Sequence, residues 1–392
     1  MAGKAAQIVV AGHICLDIIP TIDSLQGGLH SILVPGKLVD VGAAVISTGG
    51  AVSNTGLALH RMGLPVRLMG KVGRDPLGRI VLDVLKSHGP RLAEGIIRDE
   101  QAATSYTIVI SPPGVDRVFL HCPGANDTFR ADDIDYAAVG RSGLFHFGYP
   151  PLMRAMYDGG GRELADMLAR VKRLGVTTSL DLALPDPDSP AGRANWTKIL
   201  AAALPSVDIF LPSIEEIVFM LDGPRAGGPA GADARLLARV SQKLLEMGAA
   251  VAVLKLGEAG LYLRTTADES RLAAMGRLAP KDVALWAGRE LYSPPFEVQA
   301  VGATGAGDCA IAGFLAAFAK GLGPADALTA AAAAGACNVE AADATSGIRP
   351  WEQMQSRIKA GWRRRPPADP FAAWRKCPES GVPAGPNDNA IA

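Results

Sequence analysis

Hydrophobic and polar positions along the chain follow two periods. Short apolar runs at 7–13, 66–72, 143–147, 176–180, 207–211 and 249–254 have the length and β-branched content of buried strands. Between them, 79–86, 160–174, 191–203, 214–221 and 233–247 carry helical spacing. The alternation in the second half predicts right-handed βαβ units and a parallel sheet covered on both faces. Residues 14–17 read as a continuation of the first strand. Two regions break the pattern. From 18 to 47, prolines and glycines separate short alternating stretches at 31–34 and 37–41, which predicts extended structure suited to cover a site. Residues 103–110 and 117–121, joined across 112–114, predict a β-hairpin.

Glycines punctuate two further elements. After Gly49 and Gly50, Ser53 or Asn54 is placed to cap a helix whose Leu57, Ala58 and Met62 face inward and which stops at Gly63. Near the other end, Phe296, Val298 and Val301 suggest a short strand, Gly305, Ala306 and Gly307 follow, and an apolar run from Ala310 has the character of a buried helix. Residues 223–233 read as a flexible insertion. The stretch 265–294 is longer than the pattern requires, and 366–392 reads as a partly disordered tail.

Composition narrows the class. Thirty-nine basic residues balance 39 acidic ones among 392, and 48% are hydrophobic, which fits a soluble globular chain and argues against nucleic acid or an anionic membrane as the main partner. Five scattered cysteines form no C-x-x-C pair, so they read as reduced thiols. With no signal-like or membrane-spanning run, the expected location is cytoplasmic.

The 305–308 turn carries the strongest chemistry. Small residues at a helix N-terminus expose backbone N–H groups to the positive end of the helix dipole, an arrangement suited to phosphate. Asp308, the ionisable side chain in this turn, is placed to take a proton from a hydroxyl that attacks a bound phosphoryl group. Residues 305–310 also match G-x-G-x-x-G/A, but Asp326 lies at the start of a helix rather than at a strand end, against a dinucleotide site. No Gly-Lys-Ser/Thr follows, against a P-loop. Close strand–helix packing would also account for the glycines. Elsewhere, Asp17, Asp181, Glu215, Glu216 and Lys255 fall after strands, where open α/β sheets gather ligands; post-strand carboxylates suit a hydrated Mg²⁺. Turn or helix-capping roles are equally open to Asp17, Asn54, Asn126 and Glu216.

Gly49-Gly-Ala-Val-Ser-Asn54 and Ala303-Thr-Gly-Ala-Gly-Asp308, with Gly124-Ala-Asn126 and Lys255-Leu-Gly-Glu-Ala-Gly260 between them, resemble the motifs of ribokinase-like (PfkB) carbohydrate kinases over about residues 6–360. The resemblance implies a three-layer α/β/α sandwich with a mainly parallel central sheet. It places the kinase domain at 1–365 and a small β lid at about 18–47 and 103–122. It implies ATP-dependent phosphorylation of a hydroxymethyl group, with Asp308 as base and Gly305, Ala306 and Gly307 as anion hole. Asp17, Gly49, Gly50, Asn54 and Asn126 would contact the acceptor, Lys255, Gly257, Gly260, Thr304 and Asn338 the nucleotide, and Glu216 would support Mg²⁺. Gly302 stands where the family usually has an aspartate, which puts a monovalent cation in doubt, and Ser213 replaces an asparagine of the magnesium network. A sugar is the expected acceptor, a nucleoside the alternative, and a non-catalytic sugar or nucleoside sensor the reading of another class. Exposed lid edges at 31–46 suggest a homodimer.

Overall fold

The computed structural model describes residues 6–22, 29–112, 118–223, 233–367, 369, 371–377 and 381–389. Its first half contains β1 (Ile8–Gly12), β2 (Cys15–Pro20), β3 (Ala44–Gly49), α1 (Ala51–Arg61), β4 (Val66–Gly73), α2 (Pro76–His88), β5 (Ile96–Asp99), β6 (Tyr106–Ile110), β7 (Val118–Cys122), α3 (Tyr136–Val139), β8 (Leu144–Gly148), α4 (Arg154–Arg173) and β9 (Thr177–Leu180). There follow α5 (Trp196–Ala203), β10 (Ile209–Phe210), α6 (Ile214–Asp222), α7 (Ala234–Glu246), β11 (Val251–Lys255), β12 (Leu261–Thr265), α8 (Glu269–Ala273), β13 (Glu290–Ser293), α9 (Ala306–Ala319), α10 (Pro324–Val339), α11 (Trp351–Lys359), β14 (Arg375–Lys376) and β15 (Pro383–Ala384).

Eleven strands form one sheet in the order β14-β15-β13-β12-β11-β10-β9-β8-β1-β4-β5. From β5 to β11 every pairing is parallel, and from β11 outward to β14 the pairings are antiparallel. Apolar side chains fill a core on each face. One packs α1, α2, α9, α10 and α11 against the sheet, the other α4 to α7. The parallel βαβ expectation and the three-layer architecture therefore hold. No helix among the described residues is long and apolar enough to cross a membrane.

A separate four-stranded sheet, β3-β2-β6-β7, forms the lid. The predicted hairpin is its β6–β7 pair. Elsewhere the lid departs from expectation. Residues 14–17 do not extend β1: the chain turns at Gly12, whose φ of +123° and close approach to the Gly148 carbonyl exclude a side chain, and Cys15 starts β2. The stretches 31–34 and 37–41 form no strands; Leu33, Val34, Leu38 and Val41 are exposed, and the lid strand of this region is β3.

Three other expectations change. Gly50 precedes α1 as its N-cap, so Ser53 and Asn54 lie inside the helix, with Ser53 bonded to Thr48. No strand forms at 296–301, where Phe296 makes a single bridge to Arg364. The 265–294 stretch contributes α8 and β13, and described parts of the C-terminal segment add β14 and β15 to the sheet instead of trailing free. The insertion expected at 223–233 falls mostly outside the described residues.

The helix that carries Asp308 is central. Ile311, Phe314, Leu315 and Phe318 of α9 are buried, each worth roughly 1.5–3 kcal/mol. Gly313 lets α10 approach closely: a Cβ there would lie 2.5 Å from the Ala330 carbonyl oxygen. The N-terminus of α9 is thereby fixed at the carboxyl ends of the parallel strands.

Candidate active site

A cleft of about 1280 Å³ lies between lid and sheet; its walls include His13, Asp17, Asn54, Tyr149, Glu216 and Asp308. A smaller cavity, about 360 Å³, lies near β12 and the C-terminal segment and is lined by none of the candidate residues.

Gly305 enters α9 with a left-handed φ of +72°, and a Cβ on it would meet the Ala344 carbonyl at 2.5 Å. The next residues are Ala306, Gly307 and Asp308 in the first turn of the helix, so backbone amides and carboxylate share one corner. Asn338 on α10 braces the approach, its Nδ2 donating to the Thr304 carbonyl at 2.7 Å. Lys255, at the end of β11, lies over the turn: a Cβ on Gly307 would be 3.8 Å from its Nζ.

Asp308 is 4% exposed. Asn54 Nδ2 donates to its Oδ2 at 2.9 Å, Thr55 Oγ1 to its Oδ1 at 3.4 Å, and the Tyr149 hydroxyl to both oxygens at 2.9 and 2.8 Å. Burial raises the Asp308 pKa, opposed by Lys255 and by these hydrogen bonds. A carboxyl raised in this way is a better proton acceptor than an ordinary one.

Lys255 Nζ donates to Asp181 Oδ1 at 2.8 Å and lies 3.9 Å from Glu216 Oε2. Burial alone would lower the Lys255 pKa; Asp181 and then Glu216 outweigh it and raise it, so Lys255 is held protonated. Ser213 and Glu216 form a capping box on α6, the Ser213 amide donating to Glu216 Oε2 at 2.6 Å. The replacement of asparagine by Ser213 thus leaves Glu216 oriented by its own helix. Asp181 Oδ2 is buried without a hydrogen-bond partner. Orphaned oxygen, adjacent carboxylate and phosphate turn suit a hard cation that keeps water and phosphate ligands. Among the described residues no cluster of three or more His, Cys, Asp or Glu side chains would hold a metal by itself.

On the lid side, Asp17 lies on β2 against Gly49, where any Cβ would collide with its carboxylate. Burial pushes Asp17 up to about 6, against hydrogen bonds from Cys15 and Thr107. Gly50 has a φ of +86° and leaves room for His13, whose ring nitrogen Nε2 lies 3.4 Å from that of His121. Burial, and then His121, lowers His13 to about 3, so it is neutral.

One sequence expectation, Asn126, meets a different geometry, and the glycines at 257, 260 and 302 keep their expected places. Asn126 does not reach into the cleft with a free amide: its Oδ1 accepts from the Ile14 amide and its Nδ2 donates to the Ile14 carbonyl, clamping the crossing from β1 to β2. Gly257 and Gly260 have left-handed φ values of +58° and +99° in the β11–β12 turn, and Gly260 packs on the Ser293 carbonyl. Gly302 supplies no carboxylate, and a Cβ there would lie 3.0 Å from the Ala341 and Ala342 carbonyls. The sequence reading missed Tyr149, Thr55, His13 and His121. For Tyr149 a signal existed, an aromatic residue directly after a central strand and before Pro150-Pro151.

Known proteins share this fold. Structures similar to it include a fructokinase with bound ATP from Xylella fastidiosa (TM-score 0.67, 21% identity, covering 90% of this chain and 98% of that one). A nucleoside kinase of the ribokinase family from Methanocaldococcus jannaschii gives a TM-score of 0.62 at 16% identity, covering 92% and 100%. In sequence, an uncharacterized sugar kinase from Archaeoglobus fulgidus is 26% identical over 253 residues, 64% of this chain and 82% of that protein. The profile of the pfkB family carbohydrate kinases matches residues 5–351. By sequence and by fold, the chain belongs to the pfkB family of carbohydrate kinases, which are phosphotransferases.

Proposed function

We propose that the protein transfers the γ-phosphoryl group of ATP to a hydroxymethyl group of a small sugar. The observation that carries this reading is the α9 corner, where a buried Asp308 sits within one turn of the half-buried backbone of Gly305, Ala306 and Gly307. Asp308 accepts the proton of the acceptor hydroxyl as its oxygen forms a bond to the γ-phosphorus; the bond from phosphorus to the β–γ bridging oxygen breaks, and ADP leaves. The three amides stabilise charge on the transferring group, and Lys255 adds a fixed positive charge.

Asp17, Gly49, Gly50 and Asn54 form the acceptor side, and Asn126 supports it through the Ile14 backbone. Thr304, braced by Asn338, and the Lys255–Gly260 turn form the nucleotide side. Asp181 and Glu216 would hold Mg²⁺ with water and phosphate oxygens. Bound there, the ion would neutralise phosphate charge. Without a carboxylate at Gly302, activity is expected to be independent of potassium. Edge strands β3 and β7 expose Val45, Ile46, Phe119 and Leu120, which supports a lid-mediated homodimer.

A nucleoside is the second reading, favoured by Tyr106, Phe119, Leu120 and Leu184 along the cleft, an apolar wall suited to a base. ADP release with Mg-ATP across ribose, fructose, other free sugars, adenosine and other nucleosides tests both readings, with Asp308→Asn in parallel. Turnover with one acceptor that is lost in the variant supports the mechanism and identifies the class; ligand-induced thermal stabilisation without turnover would favour a sensor.

A further inference from the structure

Tyr149 stands where the mechanism needs the acceptor. Its hydroxyl donates to Asp308 Oδ1 at 2.9 Å and Oδ2 at 2.8 Å, one proton shared across both oxygens of the base. Asn54 and Thr55 already occupy other positions on that carboxylate. A hydroxyl about to lose its proton to Asp308 must itself come within about 2.6–3.2 Å of one of these oxygens. The phenol and the acceptor hydroxyl therefore compete for one face of the base.

Two further features fit a residue that yields its place. Burial, reinforced by the charge of Asp308, pushes the Tyr149 phenol well above its usual range, so it remains a donor and does not become a rival base. The segment that carries it is also set apart from its neighbours. Among the described non-glycine residues, Tyr149 is the one with positive φ, at +65°. It leads through a short 3₁₀ turn at Pro150–Leu152 into the first turn of α4, which ends where Gly159, Gly160 and Gly161, all left-handed, interrupt the helix. Arg154 and Tyr157, which line the cleft, lie on that same first turn.

We infer that Tyr149 is a placeholder for the acceptor hydroxyl: its phenol caps the Asp308 carboxylate when no acceptor is bound, keeps water from the base, and is displaced by the incoming hydroxyl. The inference rests on the reading of Asp308 as the base. It makes Tyr149 a positioning residue that trades acceptor affinity for suppression of wasteful ATP hydrolysis.

Tyr149→Phe keeps the ring and removes the competitor. The KM for the acceptor should fall about tenfold, the equivalent of one hydrogen bond to a charged group, and acceptor-free ATP hydrolysis should rise about tenfold. The acidic limb of kcat/KM should move to higher pH, because a hydrogen bond that favours the charged carboxylate is gone. The other groups around Asp308 are unchanged in this variant: Lys255 from β11, Asp181 after β9, Glu216 in α6, Cys309 beside it in α9, and His13, which packs on the Tyr149 ring. Tyr149→Gly, which suits the left-handed backbone, should show the same rise in hydrolysis and guards against a folding defect specific to phenylalanine. An unchanged or higher KM, an unmoved acidic limb and unchanged hydrolysis, in a background where Asp308→Asn abolishes transfer, would overturn the placeholder alone. Transfer that survives Asp308→Asn would overturn the base assignment and the placeholder with it.

Discussion

Two buried polar clusters stand at different places on the same sheet, and they are built differently. At the far edge, Arg289 donates through Nε to Asp388 at 3.1 Å, through one terminal nitrogen to the Leu285 carbonyl and through the other to Cys377 Sγ. Beside it Glu290 accepts from the Tyr262 hydroxyl, the Asn387 amide and the Asn387 side chain, and its own amide donates to Asp388. At the cleft, by contrast, Asn54 Oδ1 and His13 Nδ1 of its lining, and Asp181 Oδ2 and Asn338 Oδ1 behind it, are buried without partners. A closed network fastens the C-terminal segment to β13. An open one, which forgoes hydrogen bonds inside the protein, is arranged to complete them with something that arrives from outside.

The contrast breaks if the two clusters respond alike to substitution. Asp308→Asn should lower kcat by about 10²–10⁴, with ATP affinity retained by titration and no loss of melting temperature, since a buried charge is removed. A parallel loss of ATP binding and stability would make the corner structural. Asp388→Ala, which leaves Arg289 buried and unpaired, should cost about 3–5 kcal/mol in denaturant unfolding and leave kcat of the folded fraction unchanged. Asn126→Ala tests an intermediate case: the Ile14 backbone loses its clamp, so unfolding should become easier by about 1–3 kcal/mol, with a smaller effect on turnover than on stability. The smallest effect concerns pH. Asp17 is raised to about 6, so it is a charged hydrogen-bond acceptor above that pH and protonated below it. Acceptor KM should therefore climb as pH falls through 6, by up to about tenfold per unit; the climb should be absent in Asp17→Asn, and its persistence there would assign it to another group.

What the sequence disclosed follows from the range of the interactions involved. The parallel strands announce themselves because they are buried on both faces and read as continuous apolar runs. The 305–308 turn is legible because its chemistry is local, glycines and carboxylate within four positions. The lid was harder to place. Leu33, Val34, Leu38 and Val41 lie in short apolar stretches that read as strands but remain exposed, and such a stretch alone carries no information about a partner strand. The far-edge network was illegible for a related reason: Arg289 and Asp388 are 99 positions apart, and nothing near either one signals the other. Tyr149 shows the same limit within the site. Its strand was foreseen, but its reach to Asp308 depends on a left-handed turn at a residue type that rarely adopts one.

The hydrogen bond from Asn54 to Asp308 spans 254 positions, and this separation has a kinetic meaning. Helices and local turns form long before distant segments of the chain meet, because closing so large a loop must precede any gain from the contact. During refolding from denaturant, far-ultraviolet circular dichroism should therefore recover ahead of phosphoryl transfer, with the interval between them reporting the docking of α1 against α9. Regain of turnover, rather than of helical signal, marks the moment at which the two ends of the molecule have found each other.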